Sequence, residues 1–107
     1  MRKTAILAST LCMIGTISTV AMAADGSALY VSRGCVACHG ANGAAPILPI
    51  YPSLAGQKAD YMLQQMKDIK SGARSNGQTA SMKPIIAYVS EDEMKTIADW
   101  LSQQACK

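Results

Sequence analysis

One pentapeptide constrains this chain more than any other feature: Cys35-Val36-Ala37-Cys38-His39. It holds the only histidine of the sequence and two of its four cysteines. On a helix, the two thiols stand about one turn apart and the imidazole follows directly. C-x-x-C-H is the attachment signal for c-type haem. Each thiol can add to one of the two vinyl groups of a haem. The imidazole just after the second thiol then lies under the ring, where it can ligate the iron. A group of that size dictates how a short chain folds, because the chain must wrap it.

Other chemistries use parts of the same pattern. A thioredoxin-like dithiol needs a βαβ context, and no convincing strand is visible. A zinc site could take Cys35, Cys38 and a third ligand, but His39 adjoins Cys38, which is poor geometry for one tetrahedral ion. A structural disulfide would close a very small loop, and such loops are usually redox-active. Haem attachment is the reading the residues favour.

The N-terminus supplies the compartment. Arg2 and Lys3 precede an uncharged run from Ala5 to Val20, and Ala21-Met22-Ala23 offers small residues where a signal peptidase reads. Residues 1–23 are expected to be a cleaved signal peptide, leaving 24–107 as a single domain. An uncleaved anchor is the rival, since the apolar run is near the lower limit for spanning a bilayer. Thr10-Leu11 before Cys12 does not resemble a lipoprotein box. Export implies an oxidising compartment, here the periplasm, with no stable membrane insertion after cleavage.

Without Arg2 and Lys3, eight basic residues face seven acidic ones. That is too little charge for nucleic-acid binding driven by phosphate neutralisation. A mature chain of this size buries only a modest core and usually needs a disulfide, a metal or a cofactor.

The chain resembles the class I, single-haem c-type cytochromes of bacteria, and is also similar to one half of the bacterial di-haem cytochromes. The resemblance rests on Cys35-Val36-Ala37-Cys38-His39-Gly40, on Tyr51-Pro52-Ser53-Leu54-Ala55-Gly56-Gln57, and on Ala80-Ser81-Met82-Lys83-Pro84 before a C-terminal amphipathic helix. It implies an all-α fold, a small cytochrome c domain of three to four helices around one covalently attached haem c. It further implies that the Pro52 carbonyl accepts a hydrogen bond from His39 Nδ1, with Pro49 as a rival for that role.

With one histidine, bis-histidine ligation within the chain is excluded, and a low-spin electron carrier then calls for a methionine thioether. Periodicity sorts the candidates. Ala59, Met62, Leu63, Met66 and Ile69 form one helical stripe, and Met94, Ile97, Ala98 and Leu101 form another, so Met62, Met66 and Met94 read as core packing. Met82 belongs to neither stripe. It follows a polar, turn-rich stretch, precedes Pro84 by two residues, and is expected on a loop that reaches the distal face. The family pattern places its ligand at the matching position.

The remaining elements follow from caps and breakers. Asp25 can cap a helix from Gly26 that runs into Cys35. Gly40 to Gly56, with Pro46, Pro49 and Pro52, is a loop. Lys58 to Ser71 forms a helix closed by Gly72. Pro84 suits the first turn of a short helix reaching Tyr88. Ser90 and Glu93 form a capping box that opens a last helix to Gln104. By resemblance, Ile97 and Trp100 cross the first helix near Gly26 and Tyr30. With no phenylalanine, Tyr30, Tyr61, Tyr88 and Trp100 are expected to do the aromatic packing. Lys67, Lys70 and Arg74 read as a solvated face rather than a partner patch, although Arg74 or Tyr51 is a candidate contact for haem propionates. Cys106 reads as a free thiol.

The expected function is a periplasmic single-electron carrier, not an enzyme. It is a monomer that docks transiently with periplasmic or membrane redox proteins. The alternative is a haem-bearing electron-transfer subunit of a larger periplasmic oxidoreductase complex.

Overall fold

The computed structural model describes residues 25–106. The expected signal peptide and its cleavage site lie outside the described residues. Among the described residues the structure is all-helical, with five α-helices and one 3-10 turn. None of these helices is long and apolar enough to cross a membrane.

Helix α1 (Gly26–Ser32) starts where Asp25 accepts a hydrogen bond from the Ser27 amide at 3.0 Å. It does not run into Cys35. Gly34 adopts φ +83°, a conformation costly for any residue with a Cβ, and the chain turns there. A separate short helix α2 (Val36–His39) follows. That break is why the fold has five helices rather than three to four.

Helix α3 (Ala59–Ser71) ends at Gly72, as its sequence predicts. Helix α4 (Thr79–Ile86) corrects the sequence reading. It begins five residues before Pro84, so Met82 sits on a helix and not on a loop. Pro84 cannot donate to the carbonyl of Ala80. Both residues are exposed, so water can satisfy that carbonyl and the helix persists. Helix α5 (Glu91–Ser102) has the expected capping box: Glu93 N donates to Ser90 Oγ at 3.1 Å, and Ser90 N to Glu93 Oε1 at 3.0 Å.

Helices α1 and α5 cross closely because position 26 lacks a side chain. A Cβ there would overlap Trp100 Cβ and the Thr96 carbonyl. One turn along, the Tyr30 and Trp100 rings sit 5.2 Å apart at 45°, within the range where aromatic pairs attract. The core gathers Leu29 and Tyr30 with Met62, Met66 and Ile69 from α3, and with Met94, Ile97, Ala98 and Leu101 from α5. Each fully buried large side chain contributes roughly 1.5–3 kcal/mol of transfer free energy. The aromatic expectation holds only in part. Tyr61 and Tyr88 are 56 % and 80 % exposed, so Tyr30 and Trp100 carry the aromatic packing.

Lys67 and Lys70 of α3 reach solvent, as expected, but each also has a partner within the chain. Lys70 Nζ donates to the Val89 carbonyl at 2.6 Å, and Lys67 pairs with Glu91 at 3.1 Å. Together they tie α3 to the start of α5. Arg33 and Glu93 make a matching tie between the end of α1 and α5.

Candidate haem site

A cavity of about 380 Å³ opens between α2, α3, α4 and α5. That is within the range of about 300–1,000 Å³ usual for small-molecule and cofactor pockets. Its inner wall is apolar, built from Met66, Ile69, Ile86, Ile97 and Leu101.

Helix α2 brings Cys35, Cys38 and His39 to this cavity. The single turn is closed by Cys38 N and His39 N, both donating to the Cys35 carbonyl, at 3.3 and 3.0 Å. Gly40 then leaves the helix at φ +78°, ψ 178°. Only glycine adopts that conformation readily, and a Cβ there would strike the Ala45 backbone. The motif's glycine is therefore demanded by the exit from the turn.

His39 is buried. Its Nδ1 lies 2.9 Å from the Pro52 carbonyl oxygen, so Nδ1–H donates and Nε2 is left for the cavity. Pro49 makes no such bond and does not line the cavity. Burial pushes the imidazole below its ordinary pKa of 6.5, while the bond to Pro52 acts in the opposite direction. The net result favours neutral imidazole, the form that ligates metals. Burial likewise pushes the Cys35 thiol up, with Cys38 adding to the rise. Tyr30 braces the turn from below through its hydroxyl, which donates to the Gly40 carbonyl at 2.6 Å.

No disulfide joins Cys35 to Cys38. No group of three His, Cys, Asp or Glu side chains among the described residues could hold a metal ion, so the zinc reading finds no site.

Met82 reaches the cavity from α4, on the face it shares with Thr79 and Ile86 at i, i+3 and i+7. Met62 and Met66 are buried on α3 as their stripe predicts, but they line the cavity too, whereas Met94 does not. Tyr51 and Arg74 are at the cavity as well. Arg74 Nη1 donates to Gln65 Oε1 at 3.1 Å.

Thr79 was invisible as a site residue in the sequence, because it closes a run of residues that reads as turn. The i, i+3, i+7 spacing of Thr79, Met82 and Ile86 was the available signal. Its hydroxyl oxygen is buried and has no hydrogen-bond partner. An apolar cavity with two cysteine side chains, an imidazole nitrogen left without a protein partner and an orphaned hydroxyl fits haem c, whose flat apolar body ends in two carboxylates.

Comparison with known proteins agrees with this geometry. Residues 23–105 match the family profile of cytochrome c. The chain is 38 % identical over 85 residues to cytochrome c-553 of Nitratidesulfovibrio vulgaris, covering 79 % of this chain and 81 % of that one. It is 39 % identical over 89 residues to a thiosulfate dehydrogenase electron acceptor of Stutzerimonas stutzeri, with 77 % of this chain and 40 % of that protein covered. Cytochrome c4 of Pseudomonas aeruginosa is 35 % identical over 100 residues, 92 % of this chain and 48 % of that protein. The chain thus spans most of the first relative and less than half of the other two. With one C-x-x-C-H sequence to provide for one covalent haem c, this chain belongs to the cytochrome c family of electron carriers.

Proposed function

We propose that the chain is a periplasmic carrier of single electrons in which Cys35 and Cys38 hold the porphyrin and His39 and Met82 the iron. One observation carries this reading. Side chains from α2 and α4, and the Pro52 carbonyl from the loop that leads into α3, converge on a single apolar cavity. A haem c bound there supplies exchange of one electron between Fe(III) and Fe(II).

The protein's own groups set how that exchange runs. Pro52 fixes the His39 tautomer and raises the basicity of Nε2. The Met82 thioether favours Fe(II), and so does the apolar wall of Ile69, Ile86, Ile97 and Leu101, so both raise the reduction potential. Held by both His39 and Met82, the iron would have no place left for a small ligand. Carbon monoxide added to the reduced protein at neutral pH should therefore leave its spectrum unchanged. Ready binding would contradict the reading and point to a catalytic or gas-sensing haem.

Residues 1–23 act as the export leader in this reading. The mature protein from a periplasmic extract should begin at Ala24, and an intact Met1 in the membrane fraction would instead indicate an anchor. Partners are periplasmic or membrane redox proteins that dock transiently.

A second reading is a haem-bearing subunit of a larger periplasmic oxidoreductase complex. It is favoured by the exposed apolar residues Ile47, Leu48 and Ile50, the last of which lines the cavity. Size-exclusion chromatography separates the two: the carrier elutes as a monomer, and the subunit co-elutes with its enzyme.

A further inference from the structure

We infer that Thr79 is a haem-binding residue whose hydroxyl donates a hydrogen bond to a haem propionate, an inference that rests on the haem reading of this cavity.

Thr79 is only 6 % exposed, lines the cavity, and opens α4 three residues before Met82. Its Oγ1 is the one buried side-chain oxygen or nitrogen among the described residues with no hydrogen-bond partner. Leaving a buried hydroxyl unpaired costs roughly 1–3 kcal/mol, so a folded protein holds such a group where a ligand completes it. The hydroxyl needs an acceptor. The only oxygen acceptors on the periphery of haem c are its propionates. The same atom explains why threonine occupies a face otherwise filled by Met82 and Ile86. A hydroxyl donor there stabilises the ionised propionate, as any hydrogen bond to the charged form does.

The lining supports this assignment from the opposite sign of charge. It contains no Asp or Glu, and Arg74 is its only Lys or Arg. The other titratable groups lining it are His39, Cys35, Cys38, Tyr30, Tyr51 and Tyr61. Cys35 and Cys38 become thioethers on attachment and His39 an iron ligand. Burial pushes the Tyr30 phenol up to about 12, well outside the acidic to neutral range. A step in reduction potential at acidic to neutral pH therefore reports the propionates, since an ionised carboxylate near the iron favours Fe(III).

The test compares the wild-type holoprotein with Thr79→Val and Thr79→Ser by potentiometric titration across acidic and neutral pH. Thr79→Val keeps the shape and removes the donor. It should move the step to higher pH by about one unit or more, the equivalent of a lost charge-assisted hydrogen bond. Thr79→Ser keeps the donor and should titrate like wild type. A Thr79→Val step that coincides with wild type overturns the inference. So does a Thr79→Ser step displaced as far as that of Thr79→Val, since packing would then be the cause. Failure of the His39/Met82 reading shows separately, as loss of the methionine–iron charge-transfer band from the wild-type ferric spectrum.

Discussion

The thiol-bearing turn is held in place by one phenol. Tyr30 is 1 % exposed, and its hydroxyl satisfies the carbonyl of the glycine that follows His39. Tyr30→Phe removes that bond and leaves the carbonyl with the Gly43 amide as its remaining partner, so denaturant unfolding of the holoprotein should show a loss of about 0.5–1.5 kcal/mol. Burial, chiefly, raises the phenol from 10.0 to about 12. Between those values the folded state keeps a proton that the unfolded state has lost, so stability falls as pH rises through this window. Tyr30→Phe should flatten that alkaline decline, and an unchanged slope would show that another group causes it. At this scale much was legible. Cys35, Cys38 and His39 are the motif itself, and their shared cavity follows from their spacing on one turn. Thr79 was not legible, because burial of a hydroxyl depends on what the rest of the chain places around it.

At the scale of elements, the N-terminal helix is docked by a close approach and by a charge. Gly26→Ala would drive a methyl into the Thr96 backbone oxygen, which no side-chain rotation relieves. The expected cost is about 1–3 kcal/mol, as for other overpacked contacts, read as a lower melting temperature. The Glu93 carboxylate has two partners, the Ser90 amide and the Arg33 guanidinium, and both hold it below its ordinary value of 4.5. A depressed carboxylate adds stability above its unfolded pKa and loses it as pH falls through the folded one. Glu93→Gln should therefore remove part of the acid-side decline in stability below about pH 4.5 and leave the alkaline side unchanged. Removing the cap with Ser90→Ala should cost about 1 kcal/mol.

Local signals were sufficient for α3 and α5, whose apolar stripes and end residues agree with each other. They failed at α4. Proline is read locally as a helix start, but Ile86 packed into the core and Met82 and Thr79 set against the cavity outweigh one missing backbone bond. They failed again at Gly34, where a positive φ splits what the apolar pattern presents as one helix.

At the scale of the molecule, the core is built around a space. Helices α1, α3 and α5 pack on one another, yet Met62, Met66, Ile69, Ile86, Ile97 and Leu101 all turn part of their surface to the cavity. Left unfilled, that wall exposes apolar surface to water at roughly 25 cal/mol per Å², a serious loss for a small domain whose whole stability is about 5–15 kcal/mol. The double variant Cys35→Ser, Cys38→Ser, which cannot attach haem, should show weak helical circular dichroism and no cooperative melt. A cooperative transition like that of the holoprotein would mean the polypeptide folds without the group it surrounds.

The most direct test of the central claim is the methionine–iron charge-transfer band of the ferric protein. The account predicts that wild type shows it, that Met82→Ala abolishes it, and that Met62→Leu, Met66→Leu and Met94→Leu retain it. A band that survives in Met82→Ala, or disappears with Met62→Leu or Met66→Leu instead, would place the iron's second ligand on α3 and contradict the account.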